Sequence, residues 1–188
     1  MLVLMMLAPP SLAQERPAEP LSAVEWLIGG WTGVGEGQPG VSAAVRCARR
    51  VQGGRFLMVE GRSVYPKQEA NKAGEVHTSV DFWSYDMARK RLVLRQFDSL
   101  GFVSTYVQDL RASTPRRFVL VSEALENVPP GWKARYTYEV LGPDEYHELF
   151  ELDVDGKGLK TYVRGWFAAD RTGPLGLAAA PCGASGAP

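Results

Sequence analysis

Between Leu21 and Ala168 apolar and polar residues alternate with period two, and turn-forming residues interrupt the alternation at short intervals. A period of two sends successive side chains to opposite faces of an extended strand, so the pattern demands a sheet and argues against a helical bundle. Candidate strands are 30–37, 42–51, 55–65, 75–86, 91–98, 102–110, 117–123, 133–141, 145–153 and 159–168. The separators are chemically suited to turns: Gln38-Pro39-Gly40, Gln52-Gly53-Gly54, Asn127-Val128-Pro129-Pro130-Gly131, Leu141-Gly142-Pro143-Asp144 and Asp155-Gly156-Lys157-Gly158. Asp155-Gly156 in particular predicts a type I′ hairpin. One helical stretch comes first, with apolar residues at 21, 24, 27 and 28 on a single face and Gly29-Gly30 behind it as a stop. Helical periodicity does not return. Hairpins in unbroken succession predict an all-β fold of about ten antiparallel strands in up-and-down order. Closing them into a barrel removes exposed edges.

The two ends of the 188-residue chain depart from this pattern. Residues 1–13 carry no charge and read as the apolar core of a secretory signal with small residues before Gln14. The basic residues that ordinarily lead such a core are missing, as in a truncated signal. Residues 14–20 read as a linker, 21–170 as the barrel domain and 171–188 as a Gly-, Ala- and Pro-rich tail. This organisation predicts a periplasmic or secreted protein without an integral membrane segment in its mature form. The 1–13 run is too short to span a bilayer, which takes about 20 apolar residues. Cys47 sits in a strand-like run and Cys182 in the tail. An oxidising compartment would let them pair, but two cysteines do not define a disulfide framework. Twenty-one Lys and Arg balance twenty-one Asp and Glu, leaving no cationic excess for nucleic acid or an anionic membrane surface. No Cys/His cluster has metal-site spacing.

The run Trp26-Leu27-Ile28-Gly29-Gly30-Trp31-Thr32-Gly33-Val34-Gly35-Glu36-Gly37 carries a family resemblance. A short helix followed by Leu-x-Gly-x-Trp-x-Gly-x-Gly resembles the nitrobindin-like and fatty-acid-binding-protein-like barrels of the calycin group, and Gly29-Gly30-Trp31 fits the looser lipocalin Gly-x-Trp. Gly54-Arg55-Phe56-Leu57, Trp83-Ser84-Tyr85-Asp86, Phe97-Asp98-Ser99 and Arg164 look like an uncharacterised bacterial family of such barrels. The resemblance implies a calycin-like barrel plugged by Trp31, with Arg164 stacked on that Trp. Gly33 and Gly35 let the first strand bend at the barrel seam. It also implies two ligand chemistries. Haem in nitrobindin-like proteins is held by a His near the C-terminus, and the tail here has none, leaving His147 as a substitute ligand. Fatty-acid-binding proteins hold a carboxylate with Arg-x-Tyr on a late strand, and Tyr162-Val163-Arg164 reverses that order.

Alternation then predicts faces. Lys160, Tyr162, Arg164 and Trp166 share one; Asp81, Trp83 and Tyr85 share another; Arg91, Val93, Arg95 and Phe97 a third. With Arg164 inward, a lumen carrying Trp83, Tyr85, Arg95, Tyr162, Arg164 and Trp166 suits a small hydrophobic or amphipathic molecule with an anionic head. Arg95 reads equally well as an ordinary surface residue. His147 and His77 read as exposed strand histidines, and Asp81 and Asp98 as capping or Arg-paired carboxylates. Gly33-Val34-Gly35-Glu36-Gly37 is not a dinucleotide loop, because the spacing is wrong and no helix follows. No activated nucleophile or acid/base pair is legible, which ranks an enzyme behind a lumen binder without cofactor and behind its haem or nitric-oxide-binding alternative. The oligomeric state has no signature.

Overall fold

The computed structural model describes residues 19–170. A single 3₁₀ segment, Ser22–Leu27, leads into ten strands: β1 Gly29–Gly37, β2 Gly40–Val51, β3 Phe56–Tyr65, β4 Glu75–Asp86, β5 Arg91–Asp98, β6 Val103–Gln108, β7 Arg117–Glu126, β8 Lys133–Gly142, β9 Glu145–Asp153 and β10 Lys160–Ala169. Each strand pairs antiparallel with its neighbours in sequence, and β1 closes on β10, giving an up-and-down barrel with no free edge. Among the described residues no helix is long and apolar enough to cross a membrane. The expected signal, most of the linker, the tail and a Cys47–Cys182 bond fall wholly or partly outside the described residues.

The strands form where the alternation placed them, because each has one face in a core and one in water. The leading segment is tighter than an α-helix and ends sooner: Ile28 is already extended at φ −61° and ψ 130°. Gly29, at φ +120°, then turns the chain into β1 with a conformation that a side chain would strain. The β9–β10 connection is longer than a two-residue type I′ turn. Gly156 and Gly158 have positive φ there but Asp155 does not, whereas a type I′ turn requires it at both central residues. The Arg50 and Arg89 turns are tied into ion pairs, with Glu19 and Glu25 and with Asp86 and Glu123 respectively.

The barrel has one packed end and one open end. Val24 and Leu27 of the 3₁₀ segment are buried against the packed end. Trp31, 3 % exposed, donates its indole N–H to Leu27 O at 2.8 Å and meets Tyr146 edge-on at 4.9 Å. Tyr146 in turn stacks on Phe167 at 4.8 Å, and Trp83 meets Tyr138 at 5.4 Å. Pairs of this geometry add about 0.5–1.5 kcal/mol each beyond their area burial. Trp31 is therefore buried at the packed end among aromatic rings, and Arg164 is not one of its contacts.

Candidate functional site

At the opposite end the barrel encloses a cavity of about 610 Å³ that opens between the loops. Those loops are cross-tied. The Gln68 side chain both donates to Val41 O and accepts from Val41 N, each at 2.8 Å, and Asn127 Nδ2 donates to Gly101 O at 2.6 Å. Leu100, Phe102, Val128, Trp132 and Val154 line the mouth, and Leu125, Phe150, Leu152 and Tyr162 the wall below it. Deeper, the lining turns polar: Arg46, Ser79, Gln96, Tyr106, Tyr136 and Glu148. A second chamber of about 30 Å³ lies against this floor, lined by Arg46, Ser79, Gln96, Tyr136 and Glu148 together with Asp81, Trp83, Tyr138 and Tyr146.

Glycines position the floor's cation. A Cβ on Gly33 would lie 2.6 Å from Phe167 Cδ1, and one on Gly165 would lie 2.7 Å from Phe167 Cε2. The Phe167 ring therefore lies across two residues that have no side chain to obstruct it. Arg46 of β2 stands 5.0 Å over that ring, facing Gly61 across the strand pair, where a Cβ would crowd its Cδ at 3.3 Å. Gly33 and Gly35 thus permit close packing: a Cβ on Gly35 would meet Ser42 Oγ at 2.6 Å. Arg46 Nη1 donates to Val45 O at 3.0 Å and to Ser63 Oγ at 3.3 Å, while Nη2 lies 3.9 Å from Glu148 Oε1.

Two carboxylates share this interior with one guanidinium. Burial raises the Glu148 carboxyl, with Arg46 opposing it. Burial likewise pushes Asp81 up to about 7, although Arg46, Gln96 and Ser79 favour its charged form. Asp81 is 6 % exposed, and its Oδ1 has no hydrogen-bond partner among the described residues. Burial also drives the Tyr106 hydroxyl to about 12 and those of Tyr136, Tyr138 and Tyr146 well above the ordinary value, so all four stay protonated.

The predicted residues divide between inside and outside. Trp83 and Tyr85 face inward but belong to the packed end, below the open lumen. Tyr162 lines the lumen. Arg164 and Trp166 are exposed on the outer face, and Trp166 stands 6.0 Å from the His147 ring. The cause is a β-bulge. The register with β9 runs from Thr161↔Glu151 to Val163↔Phe150, so Tyr162 is an extra residue that changes the parity of β10. Beyond it Val163, Gly165 and Phe167 face the interior. Tyr162 and Arg164 therefore lie on opposite sides of the wall, and the expected Arg164–Trp31 stack and late-strand carboxylate fork are both absent. Arg95 is also exposed, with Nη1 3.3 Å from Ser84 Oγ, because its neighbours Leu94 and Gln96 take the inward positions.

His147 is half-buried on the outer face, so a haem held in the lumen through it does not fit. His77, expected to be exposed, instead lines the mouth, with Nε2 3.1 Å from Glu75 Oε2. Asp98 and Asp81 form no pair: Asp98 lines the lumen opposite Ser79, where its Oδ1 accepts the Leu100 N–H at 2.7 Å.

Sequence reasoning missed Arg46 and Glu148. Their signal was a lone charge on an otherwise small or aromatic parity: Arg46 among Ser42, Ala44 and Ala48, and Glu148 between Tyr146 and Phe150. Asp81, seen but read as structural, has the same signature between Ser79 and Trp83.

No protein-family model matches the chain, and no curated protein matches it. Among solved structures it is similar to that of Rv2717c from M. tuberculosis, with a TM-score of 0.63 and 17 % sequence identity over 82 % of this chain and 99 % of that one. At that identity the likeness establishes the barrel fold.

Proposed function

We propose that this protein binds one small hydrophobic or amphipathic molecule inside its barrel and performs no chemistry on it. The observation that carries this reading is the lumen itself: about 610 Å³, open at one end, apolar along the mouth and wall and polar at the floor. Ligand sites of roughly 300–1,000 Å³ with mostly apolar walls and a few placed polar groups are the usual form for small-molecule binding. The cross-tied mouth loops support a preformed pocket, so little ordering cost falls on binding. The charge-free run at 1–13 supports a periplasmic or secreted location for such a binder. A calycin-type carrier is the family reading that accords with the Trp31 plug.

The test uses N-phenyl-1-naphthylamine, an uncharged probe whose fluorescence rises in apolar surroundings. The wild-type protein is expected to bind it with one-to-one stoichiometry. Leu152→Trp, which fills part of the lumen wall, is expected to weaken probe binding while the melting temperature stays near wild type. A wild-type protein that gives no signal, or a Leu152→Trp variant that binds as well as wild type, refutes the reading.

A further inference from the structure

We propose that the small chamber beneath the lumen floor is the ligand's head-group site, that Asp81 is its acceptor, and that the protein selects an apolar molecule ending in a protonated amine. The inference rests on the lumen reading and names the class of ligand. Three observations lead to it.

The first is an unmet acceptor. Asp81 is 6 % exposed and lines the chamber, yet Oδ1 has no hydrogen-bond partner among the described residues. A buried carboxylate oxygen without a donor is costly, and an ionised carboxylate can only accept. Above about pH 7, where Asp81 is ionised, the missing group is therefore a donor. The nearby cation does not fill the role, because Arg46 is engaged with Val45 O, Ser63 Oγ, the Phe167 ring and Glu148.

The second is charge. Arg46 contributes one positive charge, and Glu148 and Asp81 one negative charge each when ionised. An ammonium brings the sum to neutrality, whereas a carboxylate would make a third anion in a space with little water to screen it. Tyr136, Tyr138, Tyr146 and Trp83 line the walls together with Leu27 and Val59, and aromatic rings attract a desolvated cation. The charge sum runs against the anionic head that the sequence implied.

The third is size and continuity. About 30 Å³ accommodates one ammonium-sized group or one water. The chamber shares Arg46, Ser79, Gln96, Tyr136 and Glu148 with the lumen and so adjoins its floor, and a ligand's head group would reach it by passing between these side chains.

The experiment competes decylamine, decanol and decanoate against bound N-phenyl-1-naphthylamine at about pH 8, where Asp81, pushed to about 7, is ionised. Decylamine is expected to displace the probe at concentrations at least about tenfold below decanol, with decanoate weakest. Asp81→Asn is expected to remove the amine preference, bringing decylamine to within about twofold of decanol, while near-UV circular dichroism like that of wild type reports that the variant is folded. Bound probe with decanoate equal to or tighter than decylamine overturns the proposal and leaves the lumen reading standing. So does an Asp81→Asn variant that keeps the amine preference, which would make the chamber a structural water site. The ordering of the three ligands on wild type decides the matter even if the variant does not fold. Absence of any probe binding defeats the lumen reading and this inference with it.

Discussion

Replacing Asp81 with Asn should change how stability depends on pH. The folded protein holds the Asp81 carboxyl at about 7 against an ordinary 3.8, because the side chain is buried. A folded-state value above the unfolded one means that the native protein binds the proton more tightly. The associated stability is complete below about 4, declines as pH rises towards 7, and is gone above it. At about 1.36 kcal/mol per pH step, the span amounts to about 4 kcal/mol, of which about 3 kcal/mol falls between pH 5 and pH 8. Asn carries no such proton. Urea unfolding of both proteins should therefore show the Asp81→Asn variant gaining about 3 kcal/mol on wild type between those two pH values. The groups facing Asp81 are Arg46 on β2, Gln96 on β5, Tyr106 on β6, Tyr136 and Tyr138 on β8 and Tyr146 and Glu148 on β9. Glu148 is raised in the same direction and interacts with Asp81, so the difference between the two curves reports the coupled pair, with the Asp81 proton as the one removed. Parallel curves across the range would refute the reasoning and mean that Asp81 is solvated in the native state.

Trp31→Ala removes the plug and its hydrogen bond to Leu27 O, and should cost about 3–5 kcal/mol in the same unfolding assay; a loss near zero would mean that the packed end is held elsewhere. Arg95→Ala and Arg164→Ala lie outside the wall, and each should leave the affinity for N-phenyl-1-naphthylamine within about twofold of wild type, as expected for residues that do not touch the ligand. A large loss from either would place that residue back in the ligand's path.

The face assignments show where sequence reading stopped. Strand alternation put Tyr162, Arg164 and Trp166 together, and the rule behind that is sound for an unbroken strand. One unpaired residue at Tyr162 reverses it, and nothing in Thr161-Tyr162-Val163 announces a bulge. The resemblance compounded the error by offering Arg164 as the interior cation. Arg46 occupies that place because Gly61 faces it across the wall and Phe167 lies flat on Gly33 and Gly165 beneath it. The glycines were visible from the start, but their purpose depends on residues brought alongside from the other end of the chain.

What the sequence alone determined is the local part: ten extended segments, their turns and their order. Alternation and turn chemistry act within a few residues, so they are legible without contacts. The tertiary structure decided which face of each strand is inside, and with it the pairing of Arg46 with Glu148 and the unmet Asp81 oxygen. Parity is symmetric between a strand's two faces, and only closure of the sheet breaks that symmetry. Closure also removes water from those three charges, and that loss of solvent turns ordinary side chains into a candidate binding site.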